Sequence, residues 1–165
     1  MEYNYYVYEK TEANLKINAM PKWFKEISFE GDENEGTLIL HSQNDYDEFW
    51  GSNAKLNISW EKKIRGSFFF SKEVQRSIDI YNAIGLVVLN KENTWHLSHE
   101  FVYWYGRRTK MLHKRFYPAK SIHGIFYCDM TERLFNIHTE IIDKFYENFK
   151  SFIEKSYISF ICHGE

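Results

Sequence analysis

Two cysteines and seven histidines are the side chains of this sequence whose chemistry suits a metal site. Zinc in proteins is bound by thiolate sulfur and imidazole nitrogen, and it requires three or four such ligands at tetrahedral geometry. No local pair such as CxxC supplies two of them. One hypothesis is therefore a composite metal site with the ligands His123, Cys128, His138 and His163. The alternative, which we favour, is that the cysteines are small buried apolar residues and the histidines occupy strand ends.

The segment IHGIFYCDMTERLFNIH, residues 122–138, predicts a β-hairpin. A four-residue loop, DMTE, is a common connection in hairpins. It places His123 opposite His138, where directly opposed side chains lie within about 5.5 Å at Cβ and could share a metal. It also places Cys128 opposite Arg133, on the other face of the hairpin. A one-residue change in the turn would separate the two histidines, so their pairing depends on this register.

Two further pairs are close in sequence but are not expected to be close in space. His96 and His99 in HLSH stand three residues apart, and on a strand such positions point to opposite faces. Cys162 and His163 are adjacent, so their side chains also point apart if the chain is extended there.

Catalysis is not favoured, because the common catalytic motifs are missing. The sequence has no GxSxG, GxxxxGK[ST], GxGxxG or HExxH. A thiol–imidazole pair of Cys128 with His123 or His138 would need an electropositive, partly exposed thiolate. Arg133 could supply that charge. We assign no catalytic residue and expect no cofactor.

Charge is unevenly distributed along the chain, although the net charge is only −2. Residues 26–50 contain eight acidic and no basic residues, whereas residues 107–120 contain six basic and no acidic ones. We call residues 107–120 the basic segment; its cations are Arg107, Arg108, Lys110, Lys114, Arg115 and Lys120. Since Tyr105, Phe116 and Tyr117 could stack on bases beside them, one interpretation is a nucleic-acid or polyanion site. Other interpretations are a protein contact, within the molecule or across a dimer, and solvated surface.

The elements that must position these residues are mostly strands. Aromatic and β-branched runs dominate the first third, and AKLNISWEK alternates as a half-buried antiparallel strand does. One helix is predicted from Ser71 as N-cap to Gly85, and a second from Thr139 as cap. YISFICH predicts a closing strand. This order predicts an α+β fold, with a mostly antiparallel sheet and two main helices packed on one face.

Length and composition favour one globular domain over residues 1–165. No stretch approaches the roughly 20 apolar residues that span a bilayer, and the N terminus lacks the apolar region of a signal peptide. Two cysteines are too few for a disulfide framework. We therefore expect a cytoplasmic protein with reduced thiols and no membrane contact.

Three parts of the sequence resemble a group of uncharacterised archaeal proteins. They are MPKWFKEISFEGDENEGTLIL with AKLNISWEK, then HGIFYCDMTERLFNIH, then SFICHG. The matching positions are Trp23, Gly36, Trp60, Glu61, Tyr127, Cys128, Thr131, Arg133, Ser159, Phe160, Cys162 and His163. The arrangement is also similar to the PsbP-like α+β sandwich. Lys55 stands where the group would have an arginine, and residues 46–52 are longer than its acidic turn. The group implies no established activity, and its members often continue into a second similar unit, so this chain could be one half of such an architecture.

These features predict a non-enzymatic protein-interaction module that binds a protein partner or itself, with the basic segment as the first contact. The alternative is a small metal-binding protein or enzyme that uses the Cys128 hairpin. A second alternative is nucleic-acid or polyanion binding through the basic segment. It is not favoured, because a pI near 6.4 argues against general binding to nucleic acid.

Overall fold

The structure is a computed structural model that describes residues 4–42, 54–96, 99–108 and 118–163. Several predicted contact residues lie outside this described part of the chain: Asp45, Asp47, Glu48, Lys110, Lys114, Arg115, Phe116 and Tyr117. The described residues form ten strands and two α-helices. In chain order these are β1 (Tyr5–Lys10), β2 (Leu15–Pro21), β3 (Phe24–Gly31), β4 (Glu35–Ser42), β5 (Ala54–Lys62), α1 (Phe70–Ala83), β6 (Leu86–His96), β7 (His99–Arg108), β8 (Ala119–Cys128), β9 (Arg133–Ile142), α2 (Tyr146–Ile158) and β10 (Phe160–Ile161).

The strands form two sheets. Seven of them make one antiparallel sheet in the order β3-β4-β5-β9-β8-β7-β6, and β1, β2 and β10 make a second, smaller one. The hairpin β8–β9 lies at the centre of the large sheet. Its register pairs His123 with His138 and Cys128 with Arg133, as predicted from the DMTE turn. The α+β class, the mostly antiparallel sheet and the two main helices are thus confirmed.

The two helices cover opposite faces of the large sheet, which differs from the expected single face. On one face, Tyr81 of α1 packs in a cluster with Ile125 and Leu134. On the other face, Tyr157 of α2 packs in a cluster that contains Phe126. The reason is that no residue of β8 or β9 is exposed, so this central hairpin is covered on both faces.

The helix boundaries also correct two predicted caps. The residue that precedes α1 is Phe69, and it makes no side-chain capping bond, so Ser71 already lies in the first turn. Thr139 lies inside β9, where its hydroxyl is 2.6 Å from the hydroxyl of Tyr157. α2 continues to Ile158, which shortens the predicted closing strand to the two residues of β10. Neither helix in the described residues has the length and apolar character to cross a membrane.

Candidate functional site

Four side chains with metal-ligating atoms meet at one end of the large sheet. We call them the Cys/His centre; they are His99, Cys128, Cys162 and His163, and their ligand atoms all lie within 4.8 Å of one another. Within the part of the chain that the structure describes, no other group of three or more His, Cys, Asp or Glu side chains is placed to hold a metal ion.

The register of the large sheet brings two of these residues together. β7 begins at His99 and β8 ends at Cys128. The two strands pair antiparallel with Phe101 opposite Phe126. His99 and Cys128 stand two residues beyond that pair on their strands, so their side chains lie on the same face of the sheet as Phe101 and Phe126.

The C-terminal segment brings the other two. Phe160 of β10 packs edge-on against the rings of Phe126 and Phe135, with centroid distances of 5.6 and 5.2 Å. This contact holds the residues that follow β10 against the end of the β8–β9 hairpin. The chain bends at His163, and Cys162 Sγ lies 3.1 Å from His163 Nδ1. The expectation that these adjacent side chains point apart is therefore wrong, because the chain is not extended there.

Both cysteines are buried and are not joined by a disulfide. Cys128 Sγ lies 3.3 Å from His163 Nδ1, and Cys162 Sγ lies 3.5 Å from His99 Nε2. The hydrogen bond from the Cys162 thiol lowers the pKa of Cys128, against the opposing effect of burial. The same hydrogen bond, together with burial, raises the pKa of Cys162. The two pKa shifts are opposite in sign, so a proton shared by the two sulfur atoms is held more readily by Cys162 than by Cys128.

Two charged side chains border the Cys/His centre. Asp129 Oδ1 lies 3.4 Å from His99 Nδ1, and this contact turns Nε2 of the ring toward the cysteines. Arg133 is buried, and its Nη2 donates to the carbonyl oxygens of Cys162 and Asn14, both at 2.7 Å. The guanidinium thereby fastens the C-terminal segment to the hairpin.

The predicted composite metal set does not assemble in one place. Cys128 and His163 meet in the Cys/His centre, but His123 and His138 lie on the opposite face of the same hairpin. The two faces are separated by the sheet itself, so these four residues cannot share one ion.

His99 is the ligand candidate that the sequence pattern does not single out. HLSH predicts part of a strand, but in the structure β6 ends at His96 and β7 begins at His99, and the two residues are opposite in register. A boundary between two strands within HLSH, followed by the alternating run FVYWY, would have been the signal.

His123, which is buried, and His138, which is half-buried, form a pair of their own beneath α1. Their Nδ1 atoms are 3.2 Å apart, and His123 Nε2 lies 2.8 Å from Asn136 Oδ1. The hydrogen-bond network assigns His123 Nε2–H as the donor to Asn136 and His138 Nδ1–H as the donor to His123. Burial is the main cause that lowers the pKa of His123 to about 3, and the neighbouring His138 lowers it further. Burial, followed by the charge of Arg108, lowers the pKa of His138 to about 4. Both rings are therefore neutral at physiological pH.

The described cations of the basic segment do not form one exposed patch. Arg108 is buried, and it forms an ion pair with Glu140 and donates to the carbonyl of Ile84 at 2.8 Å. Lys120 lies 3.5 Å from Asp143, while Arg107 is exposed. Arg108 is thus a structural residue, which corrects its prediction as a partner contact.

A concave surface between β7 and α2 is the second feature with binding chemistry. This aromatic cleft has a volume of about 350 Å³ and is lined by Thr94, Trp95, Phe101, Tyr103, Tyr105, Ile122, Glu154, Tyr157 and Ile158. Trp95 and Ile158 on its rim are 72% and 74% exposed, which is unusual for large apolar side chains in a folded protein. The sequence signal is the alternation of FVYWY, which places Phe101, Tyr103 and Tyr105 on one face of the strand.

Carboxylates accompany the rings of the aromatic cleft. The Tyr103 hydroxyl donates to Glu92, and this bond raises the pKa of Tyr103 to about 12. Burial, then the charges of Glu154 and Glu92, raise the pKa of Tyr105. Lys150 Nζ lies 5.1 Å from the centroid of the Tyr105 ring, so this ring of the cleft accepts a cation at its face.

Comparison with known proteins identifies similar folds. No protein-family model matches the chain, and no curated protein matches it. The solution structure of the cyanobacterial PsbP from Synechocystis sp. PCC 6803 matches with a TM-score of 0.64 at 11% identity, over 94% of this chain and 91% of that one. The Ran-binding protein Mog1p of Saccharomyces cerevisiae matches with a TM-score of 0.63 at 8% identity, over 96% and 95%. Protein PA94 from Pseudomonas aeruginosa, of unknown function, matches with a TM-score of 0.59 at 10% identity, over 97% and 98%.

At these identities the similarity shows the fold. The chain has the α+β fold of PsbP and Mog1, which confirms the predicted similarity to PsbP-like proteins. The resemblance to the archaeal group stays a prediction.

Proposed function

We propose that this protein is an interaction module that binds a lysine- or arginine-bearing segment of a partner protein in the aromatic cleft. The observation that carries this proposal is the exposed rim of Trp95 and Ile158 around a cleft walled by tyrosines. Exposed aromatic side chains beside a concave apolar surface are typical of protein contact sites. Mog1p, which has the same fold, is a Ran-binding protein, and this supports a protein partner in general.

The charge of the cleft defines the partner's chemistry. Glu154 lines the cleft and Glu92 is bonded to Tyr103 at its edge, and these two carboxylates outweigh the single charge of Lys150 beside Tyr105, so the local field attracts cations. Aromatic faces add a cation–π attraction for ammonium and guanidinium groups, worth about 0.5–2 kcal/mol each. An apolar segment with a basic side chain would bury its apolar part against Ile158 and place its charge between the rings and the carboxylates.

The Cys/His centre does not suit catalysis as well as the cleft suits binding. Its two sulfur atoms are buried, and a reactive thiolate requires access to its substrate. The basic segment is a weaker candidate for the contact, because Arg108 is engaged inside the fold.

Fluorescence anisotropy with labelled model peptides tests the proposal. The probes are an extended peptide in which leucine alternates with lysine, and the same peptide with glutamate in place of lysine. We expect the lysine peptide to bind about tenfold more tightly than the glutamate peptide, and to lose affinity as salt is added. Glu154→Gln should reduce this preference. Equal affinity for the two peptides would overturn the proposal.

Trp95→Ala and a matched control locate the contact. Removing an interface tryptophan costs about 2 kcal/mol, so Trp95→Ala should weaken lysine-peptide binding by roughly 30-fold. Phe69→Ala removes another aromatic side chain that is 72% exposed, at the start of α1 on the opposite face, and should leave binding unchanged. Equal losses in the two variants would exclude the cleft. Light scattering adds an independent readout. If the wild-type protein is a dimer and Trp95→Ala abolishes that dimer, the partner is a second copy of this chain and not a foreign protein.

A further inference from the structure

We propose that His99, Cys128, Cys162 and His163 hold one Zn²⁺ ion in a closed structural site. The inference concerns a different part of the molecule from the aromatic cleft and does not depend on the proposed function. It rests on the geometry of the Cys/His centre, the chemistry of its donor atoms and the groups that orient them.

The spacing of the donor atoms is that of a tetrahedral zinc site. With Zn–S near 2.3 Å and Zn–N near 2.0–2.1 Å, neighbouring ligand atoms at tetrahedral angles are about 3.3–3.8 Å apart. Three of the four sulfur–nitrogen distances within the centre are 3.1, 3.3 and 3.5 Å. The ligand atoms all lie within 4.8 Å of one another, so a zinc ion placed between them would draw the most distant ones together by up to about 1 Å.

The donor set selects the metal. Two thiolates and two imidazoles are one of the ligand combinations of structural zinc, whereas magnesium and calcium take oxygen ligands. Four protein ligands complete the tetrahedron and leave no position for water or substrate, so the ion would serve stability and not catalysis. Two thiolates also neutralise the charge of Zn²⁺, which favours its burial in this part of the core.

The surroundings support the same assignment. Asp129 lies 3.4 Å from His99 Nδ1, the ring nitrogen that faces away from the cysteines. Such a carboxylate–histidine contact fixes the ring so that Nε2 offers its lone pair to the metal. The negative charge of Asp129 and the positive charge of Arg133, which both border the Cys/His centre, offset one another.

An ion could also reach the site. His163 is the partly exposed member of the set, and it borders a surface cavity of about 530 Å³ that is lined in addition by Glu9, Thr11, Asn14, Leu15, Lys16 and Ile161. Metal could therefore bind after folding, or during docking of the C-terminal segment.

The ion would join parts of the chain that are distant in sequence. His99 begins β7, Cys128 ends β8, and Cys162 with His163 follows β10. The C-terminal strand β10 is short and pairs at only two positions with β2, so a metal bridge would add a constraint where the sheet supplies few hydrogen bonds.

Metal analysis of the whole chain tests the proposal. The protein is purified from zinc-supplemented cells without chelator, and zinc is counted by mass spectrometry; we expect about one ion per chain. Cobalt substitution provides a second readout, since Co²⁺ bound by thiolates in a tetrahedral site gives intense visible bands and a thiolate-to-cobalt charge-transfer band. Removal of zinc should make two thiols titratable and lower the melting temperature, and added zinc should reverse both.

Variants distinguish the site from accidental binding. Cys128→Ser and Cys162→Ser should each lose the metal, and Asp129→Asn should weaken binding about tenfold. His138→Asn is the matched control: it removes a buried histidine of the same hairpin on the other face, and it should keep the full zinc content and the cobalt spectrum.

Three results would overturn the proposal. One is wild-type protein without zinc that also gives no charge-transfer band with cobalt. Another is retention of the full zinc content by both serine variants. The third is a Cys128–Cys162 disulfide in protein purified under reducing conditions. Because the cobalt titration uses the folded wild-type chain, the outcome is decisive even if a serine variant fails to fold.

Discussion

The His123–His138 pair predicts a loss of stability between pH 7 and pH 5 that His138→Asn should partly remove. In the folded protein, burial and then Arg108 lower the pKa of His138 to about 4, whereas an unfolded histidine titrates near 6.5. As the pH falls, the unfolded chain therefore takes up a proton before the folded chain does. The stability that depends on the neutral ring is fully present above the unfolded pKa and is lost as the pH falls toward 4.

The size of the effect follows from the two pKa values. Between pH 7 and pH 5 nearly all unfolded chains become protonated at this position while the folded ring stays neutral, which lowers the free energy of unfolding by about 2 kcal/mol. His138 is only partly buried, so we expect roughly 1–2 kcal/mol from it after solvent screening. His123 is more deeply buried and has a pKa of about 3, so it should contribute at least as much.

Urea denaturation of wild type and His138→Asn at several pH values from 5 to 8 measures the difference. Asparagine places an amide N–H near the position of His138 Nδ1–H and can still donate to His123. Carboxylates that titrate in this range act on both proteins, so their effect cancels in the comparison. The variant should lose about 1–2 kcal/mol less than wild type between pH 7 and pH 5.

Ser77→Ala is the matched control for this comparison. Its hydroxyl lies 3.0 Å from Asn136 Oδ1 in the same network, and its removal takes away no titrating group. Its stability should therefore be lower by a similar amount at every pH. If wild type and His138→Asn lose stability in parallel between pH 7 and pH 5, the neutral pair is not present in the folded protein and the reasoning fails.

Three further substitutions test single interactions inside the fold, and urea denaturation measures the loss of stability in each. Arg133→Met should lower the free energy of unfolding by about 3 kcal/mol or more, because it leaves several buried carbonyl groups without a donor, and a loss below about 1 kcal/mol would contradict this role. Gly124→Ala should cost about 1–3 kcal/mol, because the added Cβ would lie 2.6 Å from the Phe101 ring; Phe101→Leu in the same chain should recover part of the loss. Glu140→Gln should cost about 3–5 kcal/mol by leaving the buried guanidinium of Arg108 without its charged partner, with little dependence on salt.

The hairpin could be predicted from the sequence because its signals are local. DMTE is mostly polar, the strands on either side of it are rich in apolar residues, and the length of the turn fixes which residues face each other. The register that paired His123 with His138 therefore needed no knowledge of the rest of the fold. Both faces of β8 and β9 carry apolar residues, and this pattern indicates that both faces of the hairpin are covered. Alternation alone, however, does not say which helix covers which face.

The Cys/His centre could not be predicted in full because its geometry is not local. Cys128 and His163 were among the predicted residues, but their partners depend on the strand order β8–β7 and on the docking of the C-terminal segment. His99 owes its place to the pairing of β6 with β7, in which it stands opposite His96. Cys162 and His163 meet only because the chain bends after β10.

The two candidate sites share the elements that position them. Along one face of β7, His99 stands in the Cys/His centre, and Phe101, Tyr103 and Tyr105 follow at alternate positions as a wall of the aromatic cleft. The opposite wall is α2, and the chain leaves it through β10 to reach Cys162. An ion bound by His99 and Cys162 would therefore tie together the ends of both walls. If the ion has this structural role, its removal should widen or loosen the cleft and weaken peptide binding, while the preference for lysine over glutamate, which arises from Glu92 and Glu154, should persist.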